Sequence, residues 1–367
     1  MLKEGKFGYK EAISLIVITI TSKVFFTSPS AVTKLVGTAG WYMTLISAIV
    51  AALMFMFLYL VLKRFPGKNM MEINDIVLGK FAGSILTLIY CVFFLVIASV
   101  NMREFTEIIK VFVLTESPPS FIMAIFIISV VSIVFAGLET LVRYAKFLIY
   151  ILGAGLIVVI LLSVPNFRMH RLHPLLGNGL EKTIIHGALR CSFYGEAALL
   201  GIFAASLQGS KEIKKIGLYS IFISAVVTSL CLFSFGMVFP YTSARELASP
   251  MYAMAANVRL GEFLQHMEPI FVFLWNFSSF IEVAALFYGA LMTYCHVFRI
   301  TDKRPVVLPM GTLLFCLNLL PKGIQDVSSG YVQTLRTWGW VIYFLPAIFV
   351  LIIALIRKKK GGTIQNG

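Results

Sequence analysis

Long apolar segments recur along almost the whole of this 367-residue chain, and they constrain its fold more than any other feature. A helix needs about 20 consecutive apolar residues to cross a lipid bilayer. Only 13% of the residues are charged and the mean hydropathy is +0.90, whereas soluble domains carry about 25% charged residues. The sequence therefore predicts an all-α integral membrane protein that forms a single domain over residues 1–367. The ten predicted transmembrane helices cover residues 11–36, 40–62, 81–101, 119–137, 141–163, 186–207, 213–239, 268–298, 305–321 and 333–356.

The ten segments divide into two halves of five, residues 11–163 and residues 186–356. Because five is odd, the two halves enter the membrane in opposite directions. Inverted halves with interrupted helices at corresponding places are typical of transporters that bind a solute near the middle of the membrane. The first and the sixth segments are therefore the places where a binding site is expected.

The net charge of +14 indicates membrane topology rather than nucleic-acid binding. With ten spans both chain ends lie on one side, and most of the 31 Lys and Arg residues fall on that same side. Cytoplasmic loops of membrane proteins carry an excess of positive residues. We therefore expect both termini to face the cytoplasm.

The first segment carries a charge and a helix breaker, which a lipid-facing helix does not need. Lys23 lies in mid-span, Thr27 and Ser28 follow one turn later, and Pro29 comes directly after them. A charge at the bilayer centre costs about 2.5–3.5 kcal/mol on insertion scales. Pro29 removes a backbone donor, so the helix should bend or unwind around Thr27 and Ser28. Unwound backbone at this depth must be buried in protein or line a cavity, which predicts half of a small-molecule site.

The sixth segment has a similar irregularity. Tyr194, Gly195 and Glu196 follow one another in mid-span, where a simple lipid-facing helix would have neither a glycine nor a charge. Glu196 can bind a substrate amine or a proton, or it can pair with Arg190, six residues earlier. Tyr194 can close the pocket with its ring, although ordinary packing also explains an aromatic residue here.

The eighth segment carries a polar stripe. Asn276, Ser279 and Glu282 follow at three-residue spacing, and Ser278 lies four residues before Glu282. Lys23 and Glu282 are opposite charges on different segments, so they are expected to pair with one another or to be bridged by a ligand. In the ligand-binding interpretation, Lys23 replaces a coupling cation or meets a substrate carboxylate. The alternative is a purely structural ion pair.

The sequence lacks the motifs of catalysis and of cofactor binding. It contains no P-loop, no HExxH, no GxSxG and no paired catalytic carboxylates. Its five cysteines lie in apolar segments without CxxC spacing, and its five histidines show no ligand spacing. We therefore expect no enzymatic activity, no metal and no cofactor.

Several motifs in order along the chain resemble those of one family. They are Lys23–Pro29, Gly40-Trp41, Glu107–Phe112, Leu172–Gly179 and Glu268–Trp275, of which Leu172–Gly179 is the most specific. Over almost the entire length, the chain is similar to the B subunit of bacterial spore germinant receptors. These are the GerAB-type permeases of the amino acid/polyamine/organocation superfamily.

The resemblance implies a LeuT-like 5+5 inverted repeat of ten helices in which helices 1 and 6 are broken. It implies a germinant, usually a small amino acid, that is held between helices 1 and 6 and helices 3 and 8. It also implies two partners in the spore inner membrane, an A-type membrane subunit and a C-type lipoprotein.

Three functions remain open: a germinant receptor, a proton-coupled amino-acid permease with Glu282 or Glu196 as the proton carrier, and a scaffold that binds no ligand. The first two share one set of candidate ligand-binding residues. These are Lys23, Thr27, Ser28, Pro29, Tyr194, Gly195, Glu196, Asn276, Ser278, Ser279 and Glu282.

Overall fold

The computed structural model describes residues 5–208, 212–260, 264–265, 268–321 and 323–361, and most of them are helical. The first half contains α1 (Tyr9–Thr21), α2 (Ser28–Val36), α3 (Gly40–Arg64), α4 (Met70–Leu78), α5 (Lys80–Phe112), α6 (Pro119–Ala136) and α7 (Leu138–Ser163). The second half contains α8 (Leu180–Leu189), α9 (Leu199–Phe203), α10 (Ile213–Val238), α11 (Tyr241–Ala244), α12 (Pro250–Ala256), α13 (Glu268–Val297), α14 (Arg304–Asn318), α15 (Val332–Trp338), α16 (Trp340–Tyr343) and α17 (Leu345–Ile356). Two strands of two residues each before α13, β1 (Arg259–Leu260) and β2 (Leu264–Gln265), pair antiparallel, and the fold class is all-α as predicted.

Eight helical stretches in the described residues are long and apolar enough to cross a membrane. One of them, Ser28–Arg64, joins the second part of the first predicted span to the whole of the second span. The turn between them is at Gly37, whose φ of +64° favours glycine. Two of the ten predicted spans are not among these eight stretches. They are the first span, which is interrupted, and the ninth, where α14 has only 15 residues. Helical segments therefore occupy all ten predicted positions.

The first span is broken where Pro29 predicts a break. α1 ends at Thr21, one turn of 3₁₀ helix covers Ser22–Phe25, and α2 begins at Ser28 with Pro29 in its first turn. Proline has no N–H to donate and fits the first turn of a helix. A new helix therefore starts at Pro29, and α1 does not continue through it.

The sixth span is broken over a longer stretch. α8 ends at Leu189, a 3₁₀ stretch covers the nine residues Arg190–Ala198, and the short helix α9 follows. Runs of 3₁₀ helix longer than three or four residues are uncommon and often mark a functional hinge. All nine residues of the stretch are buried. Helices 1 and 6 are thus both broken, as the LeuT-like fold requires.

Helix α13, the eighth span, lies at the centre of the bundle. It packs against α5 above all, and also against α1, α6 and α7. Every residue from Ile281 to Leu291 is buried. A polar side chain in this part of α13 must therefore find its partners inside the protein.

The two described ends of the chain lie on the same side of the bundle. Lys6 and Gly67 line one cavity. Gly361 donates a backbone hydrogen bond to the carbonyl oxygen of Arg64 at 3.1 Å. Both ends therefore lie beside the loop that follows α3, as an even number of spans predicts, while the cytoplasmic orientation stays a prediction.

The packing of α10 on α3 leaves no room for a side chain at Gly217. A methyl group there would lie 2.0 Å from Cζ of the fully buried Phe55 ring. We expect Gly217→Ala to lower the free energy of unfolding by about 1–3 kcal/mol, because the ring has to move. Thermal unfolding of the purified protein measures the loss.

Gly153→Ala in α7 is the matched control, because a methyl group there meets no atom of the described chain within 4 Å. Alanine also favours the helix, so this variant should keep or slightly raise the Tm. Equal losses in the two variants would contradict the packing argument. So would a Gly217→Ala variant that Phe55→Leu does not rescue.

Candidate functional site

The two helix breaks face one another, and a buried ion pair joins them. The ammonium group of Lys23 pairs with Oε2 of Glu196 and donates a hydrogen bond to the carbonyl oxygen of Phe193 at 2.5 Å. It also lies 5.0 Å from the centroid of the Phe193 ring. Lys23 is 4% exposed and Glu196 is 1% exposed. The cost of removing two charges from water to this degree is tolerated only because each charge is the partner of the other.

Tyr343 on α16 completes the surroundings of Glu196. Its hydroxyl donates to Oε1 of Glu196 at 2.8 Å, so each carboxylate oxygen has a partner. Gly195 allows this approach, because a methyl group at position 195 would lie 2.1 Å from Cδ2 of Tyr343. The glycine that marks the sixth span in the sequence is therefore needed for close packing beside the ion pair.

Glu282 lies next to this pair but binds neutral groups. Ser22 donates to its Oε2 at 2.6 Å, and the side-chain amide of Asn101 on α5 donates to its Oε1 at 2.7 Å. Glu282 is 0% exposed. The sequence suggested that Lys23 pairs with Glu282. The structure instead pairs Lys23 with Glu196 on the facing break, while Ser22 and Asn101 occupy both carboxylate oxygens of Glu282.

A second buried network holds the break in helix 1 from the other side. Oε1 of Glu104 on α5 accepts hydrogen bonds from the backbone N–H of Thr27 at 3.0 Å and from its hydroxyl at 2.5 Å. Oε2 of Glu104 accepts from Nη2 of Arg336 on α15 at 3.2 Å. Glu104 thus ties α5 and α15 to the irregular backbone of helix 1.

The structure brings four of the candidate residues together: Lys23, Thr27, Glu196 and Glu282. Ser28 is buried beside them, and its hydroxyl has no hydrogen-bond partner in the described part of the chain. Pro29 shapes the start of α2. Gly195 makes room for Tyr343, as described above.

Three other candidates, Tyr194, Ser278 and Asn276, make no hydrogen bond to the ion pair. The Tyr194 hydroxyl donates to the carbonyl oxygen of Thr44 on α3 at 3.1 Å, and the Ser278 hydroxyl to that of Trp275 at 2.9 Å. Asn276 is exposed on the outer surface of the bundle. Each three-residue step along a helix falls about 60° short of a full turn, so Asn276 lies about 120° around α13 from Glu282. Ser279 is buried, and its hydroxyl finds no partner among the described residues.

Sequence reasoning missed several residues of the site. They are Ser22, Asn101, Glu104, Arg336 and Tyr343. The sequence predicts the third span over residues 81–101, with Asn101 at its end and Glu104 in a continuation towards Leu114 that projects beyond the bilayer or tilts. α5 continues to Phe112, so both residues lie within it. The polar part of α5 faces the break in helix 1, because Glu104 binds Thr27.

Two cavities lie on either side of the Glu104 network. A small one of about 20 Å³ is lined by Lys23, Asn101, Ser192, Glu196, Arg336 and Tyr343, among others. That is enough for about one water molecule. A larger one of about 410 Å³, the vestibule, is lined by Thr27, Lys34, Arg245, Glu246, Gln325 and Gln333, among others. Thr27 lines the vestibule and Arg336 the small cavity, so the Thr27–Glu104–Arg336 contacts lie between the two.

The chemistry of the site is that of ion pairing. Lys23 and Arg336 provide positive charge, Glu196 and Glu282 provide carboxylates, and all four are buried. In the described residues no group of three His, Cys, Asp or Glu side chains is placed to hold a metal ion. A compact solute that carries charges of both signs would match this arrangement.

The ten helices and the two facing breaks define a membrane protein with the LeuT-like transporter fold. MhsT in complex with L-phenylalanine matches 98% of this chain and 91% of its own with a TM-score of 0.69, at 13% sequence identity. Mhp1, a nucleobase-cation-symport-1 family transporter in a closed conformation with bromovinylhydantoin bound, matches 97% and 80% with a TM-score of 0.66, at 12% identity. At these identities the similarity concerns the fold.

The chain belongs to the spore germination protein family, whose sequence profile matches residues 7–327. Three relatives from Bacillus subtilis (strain 168) align over nearly its whole length. Spore germination protein B2 is 22% identical over 99% of both chains, and spore germination protein KB is 22% identical over 98% of this chain and 97% of its own. Spore germination protein A2 is 25% identical over 95% of both. The family inferred from the motifs is confirmed.

The Lys23–Glu196 pair gives a prediction for stability. Removing one charge leaves the other buried without its partner, so Lys23→Met or Glu196→Gln alone should cost about 3–5 kcal/mol. The double variant should recover part of that loss, since no unpaired charge remains. Thermal unfolding of the purified variants in the same detergent gives the double-mutant cycle.

The exposed pair Glu139–Arg143 on α7 is the control. Glu139→Gln should change the free energy of unfolding by less than about 1 kcal/mol, since exposed ion pairs contribute little. A double variant that is as unstable as the sum of the two single variants would show that Lys23 and Glu196 act independently. That result would contradict the pairing.

Proposed function

We propose that the chain is the germinant-sensing subunit of a spore germination receptor. In this proposal it binds a small amino acid between the broken helices 1 and 6, near the middle of the membrane, and passes the signal to partner subunits. The observation that carries the proposal is the buried Lys23–Glu196 pair between the two breaks. The ligand-contacting residues proposed are Lys23, Thr27, Ser28, Glu196 and Glu282.

An amino acid is a zwitterion, and the site offers a partner for each of its charges. The carboxylate would bind the ammonium group of Lys23, aided by the free Ser28 hydroxyl at the start of α2, where the helix dipole favours negative charge. The Nη1 group of Arg336 has no hydrogen-bond partner in the described structure and is a further donor. The amino group would bind Glu196 and the carbonyl oxygen of Phe193, which now hold Lys23. The ligand would thus replace the direct ion pair with two new ones.

Binding would require the site to open, since the cavity at Lys23 and Glu196 holds about 20 Å³. The Glu104 contacts to Thr27 and Arg336 separate it from the vestibule, so they are the contacts expected to part. A ligand shifts such an equilibrium only by its difference in affinity for the two states. The ligand would bind only the state in which Lys23 and Glu196 have separated. Its affinity would therefore differ between the two states.

The named relatives support this proposal, since they are spore germination proteins. The fold neighbour MhsT was solved with L-phenylalanine, an amino acid. The partners proposed are an A-type membrane subunit and a C-type lipoprotein, as the family resemblance implies. The proposed location is the spore inner membrane, with both termini in the cytoplasm because of the positive charge on that side.

A binding screen of the purified chain in lipid nanodiscs against the standard amino acids tests the proposal. At least one should bind and raise the Tm, because a ligand that binds only the folded state stabilises it. For that amino acid, the amide analogue lacks the carboxylate and the deamino analogue lacks the amine. Wild-type protein should reject both. Lys23→Gln should lose its discrimination against the amide, and Glu196→Gln its discrimination against the deamino acid.

Lys10→Gln is the control variant, because Lys10 is an exposed cation on α1, the helix that leads to Lys23, and lines neither of the two cavities. It should keep both preferences. Absence of binding by every amino acid would favour the scaffold interpretation and reject the receptor. If Lys23→Gln and Glu196→Gln both bind the amino acid and still reject its two analogues, the binding site lies elsewhere.

A second candidate is a proton-coupled amino-acid permease, and Glu282 favours it. This buried carboxyl group accepts hydrogen bonds from Ser22 and Asn101, and no cationic nitrogen of the described residues lies within 4 Å of it. A buried carboxylate without a cationic partner is costly, so this group has a reason to take up a proton, as a proton carrier must. Glu196, by contrast, is held by Lys23.

Proteoliposomes distinguish the two candidates. A permease accumulates labelled amino acid when a pH gradient is imposed, and Glu282→Gln should abolish this accumulation while binding persists. A receptor binds the amino acid but shows no gradient-driven accumulation. Accumulation that survives in Glu282→Gln would exclude Glu282 as the proton carrier.

A further inference from the structure

A second cavity, the aromatic pocket, opens on the outer surface of the bundle between α5, α6, α7 and α13. Its volume is about 500 Å³, within the range of small-molecule sites. Six of its fourteen lining residues are aromatic, and none is charged. The aromatic residues are Phe105, Phe121, Phe126, Tyr144, Phe277 and Phe280.

Two polar groups in the pocket lack partners. Neither the side-chain amide of Asn276 nor the hydroxyl of Tyr144 makes a hydrogen bond within the portion of the chain that the structure describes. The Ser129 hydroxyl, in contrast, donates to the carbonyl oxygen of Ile125 at 3.0 Å. Asn276 lies eight residues into α13, about 12 Å from its start. A polar group that faces lipid tails gains from any hydrogen-bonding partner, because the tails offer none.

We propose that the aromatic pocket binds a neutral, membrane-dissolved aromatic molecule that carries one hydroxyl or carbonyl group. The aromatic walls match a ring, which packs edge-to-face or offset against them. The absence of charged lining residues favours a neutral compound. The Asn276 amide both donates and accepts, so it can bind either a hydroxyl or a carbonyl group. An acyl chain of a lipid fills such a space but leaves Asn276 without a partner.

A second groove on the bundle provides a comparison. It lies between α5 and the α15–α16 region, has a volume of about 570 Å³, and is lined largely by aliphatic residues such as Ile85, Leu88 and Ile89. Its one hydroxyl group, on Thr334, already donates to the carbonyl oxygen of Gly330 at 2.9 Å. The two cavities are similar in size, but apart from Thr334 the second offers only the indole N–H of Trp338, which donates and cannot accept.

The aromatic pocket also connects to the break in helix 1. The centroid of the Phe105 ring lies 4.7 Å from that of Phe126 and 5.0 Å from that of Trp275. Trp275 in turn lies 5.5 Å from Phe26, which directly precedes Thr27. An occupant that presses on Phe105 would thus reach the helix break through two ring contacts, Phe105–Trp275 and Trp275–Phe26. The binding proposal itself does not depend on the amino-acid site.

Calorimetric titration of the full chain in nanodiscs tests the proposal with 2-naphthol and naphthalene, which differ by one hydroxyl group. Empty nanodiscs supply the correction for partition into lipid. Wild-type protein should bind 2-naphthol about threefold to tenfold more tightly than naphthalene, the effect of one hydrogen bond in a membrane. Asn276→Leu should abolish that difference and still bind both compounds. Thr334→Val in the second groove should preserve it.

Three outcomes would overturn the proposal. Equal affinity of wild-type protein for the two compounds would mean that the pocket binds them by apolar contact alone, as any lipid-facing groove does. A preference for 2-naphthol that persists in both Asn276→Leu and the double variant Asn276→Leu/Tyr144→Phe would place the site elsewhere, and its loss in Thr334→Val would place it in the second groove. Cross-linking of an Asn276→Cys variant to a partner's transmembrane helix in native membranes would make the pocket a protein interface.

Discussion

The ion pair between Lys23 and Glu196 is the interaction on which the centre of this structure depends. Each charge sits on a stretch of irregular backbone, and each stretch would be unfavourable inside a membrane without a partner. The pair joins the two stretches, and the Lys23 ammonium group also binds the carbonyl oxygen of Phe193 in the second of them. Tyr343, Ser22 and Asn101 then satisfy the remaining carboxylate oxygens around it. The two inverted halves of the chain thus meet at a point held by charge, within a bundle that apolar packing otherwise stabilises.

The second network, centred on Glu104, has a different character. It joins three spans through one carboxylate, which accepts from Thr27 and from Arg336. These contacts lie between a vestibule of about 410 Å³ and a cavity of about 20 Å³. The structure therefore combines a compact charged centre with a polar barrier on one side of it. Such an arrangement suits a protein that responds to a small solute by changing the contacts of a few buried groups.

Much of this fold could be predicted from the sequence, because a membrane demands long apolar helices and penalises buried charge. The ten segments, the break at Pro29 and the irregularity at Gly195 all follow from that constraint. Lys23 and Glu196 were recognisable for the same reason. Their pairing was not, since it depends on which faces of helices 1, 6 and 8 meet. Asn276 shows the limit most clearly: residues three apart drift around a helix, so a stripe in the sequence need not be a stripe in space. Glu104 was missed because it follows the apolar run of the third span, where a polar residue in sequence is expected to project beyond the bilayer.

The contact of Tyr343 with Gly195 has a mechanical consequence. The tyrosine ring rests directly on the glycine, and its hydroxyl is bonded to the next residue, Glu196. A tilt of the sixth helix would therefore carry the short helix α16 with it. The adjoining α17 packs against α3 and α4, and the Arg64 side chain at the end of α3 donates to the carbonyl oxygens of Ala354 and Lys359. Motion that begins beside the buried charges would thus reach the end of α3 and the last described residues of the chain.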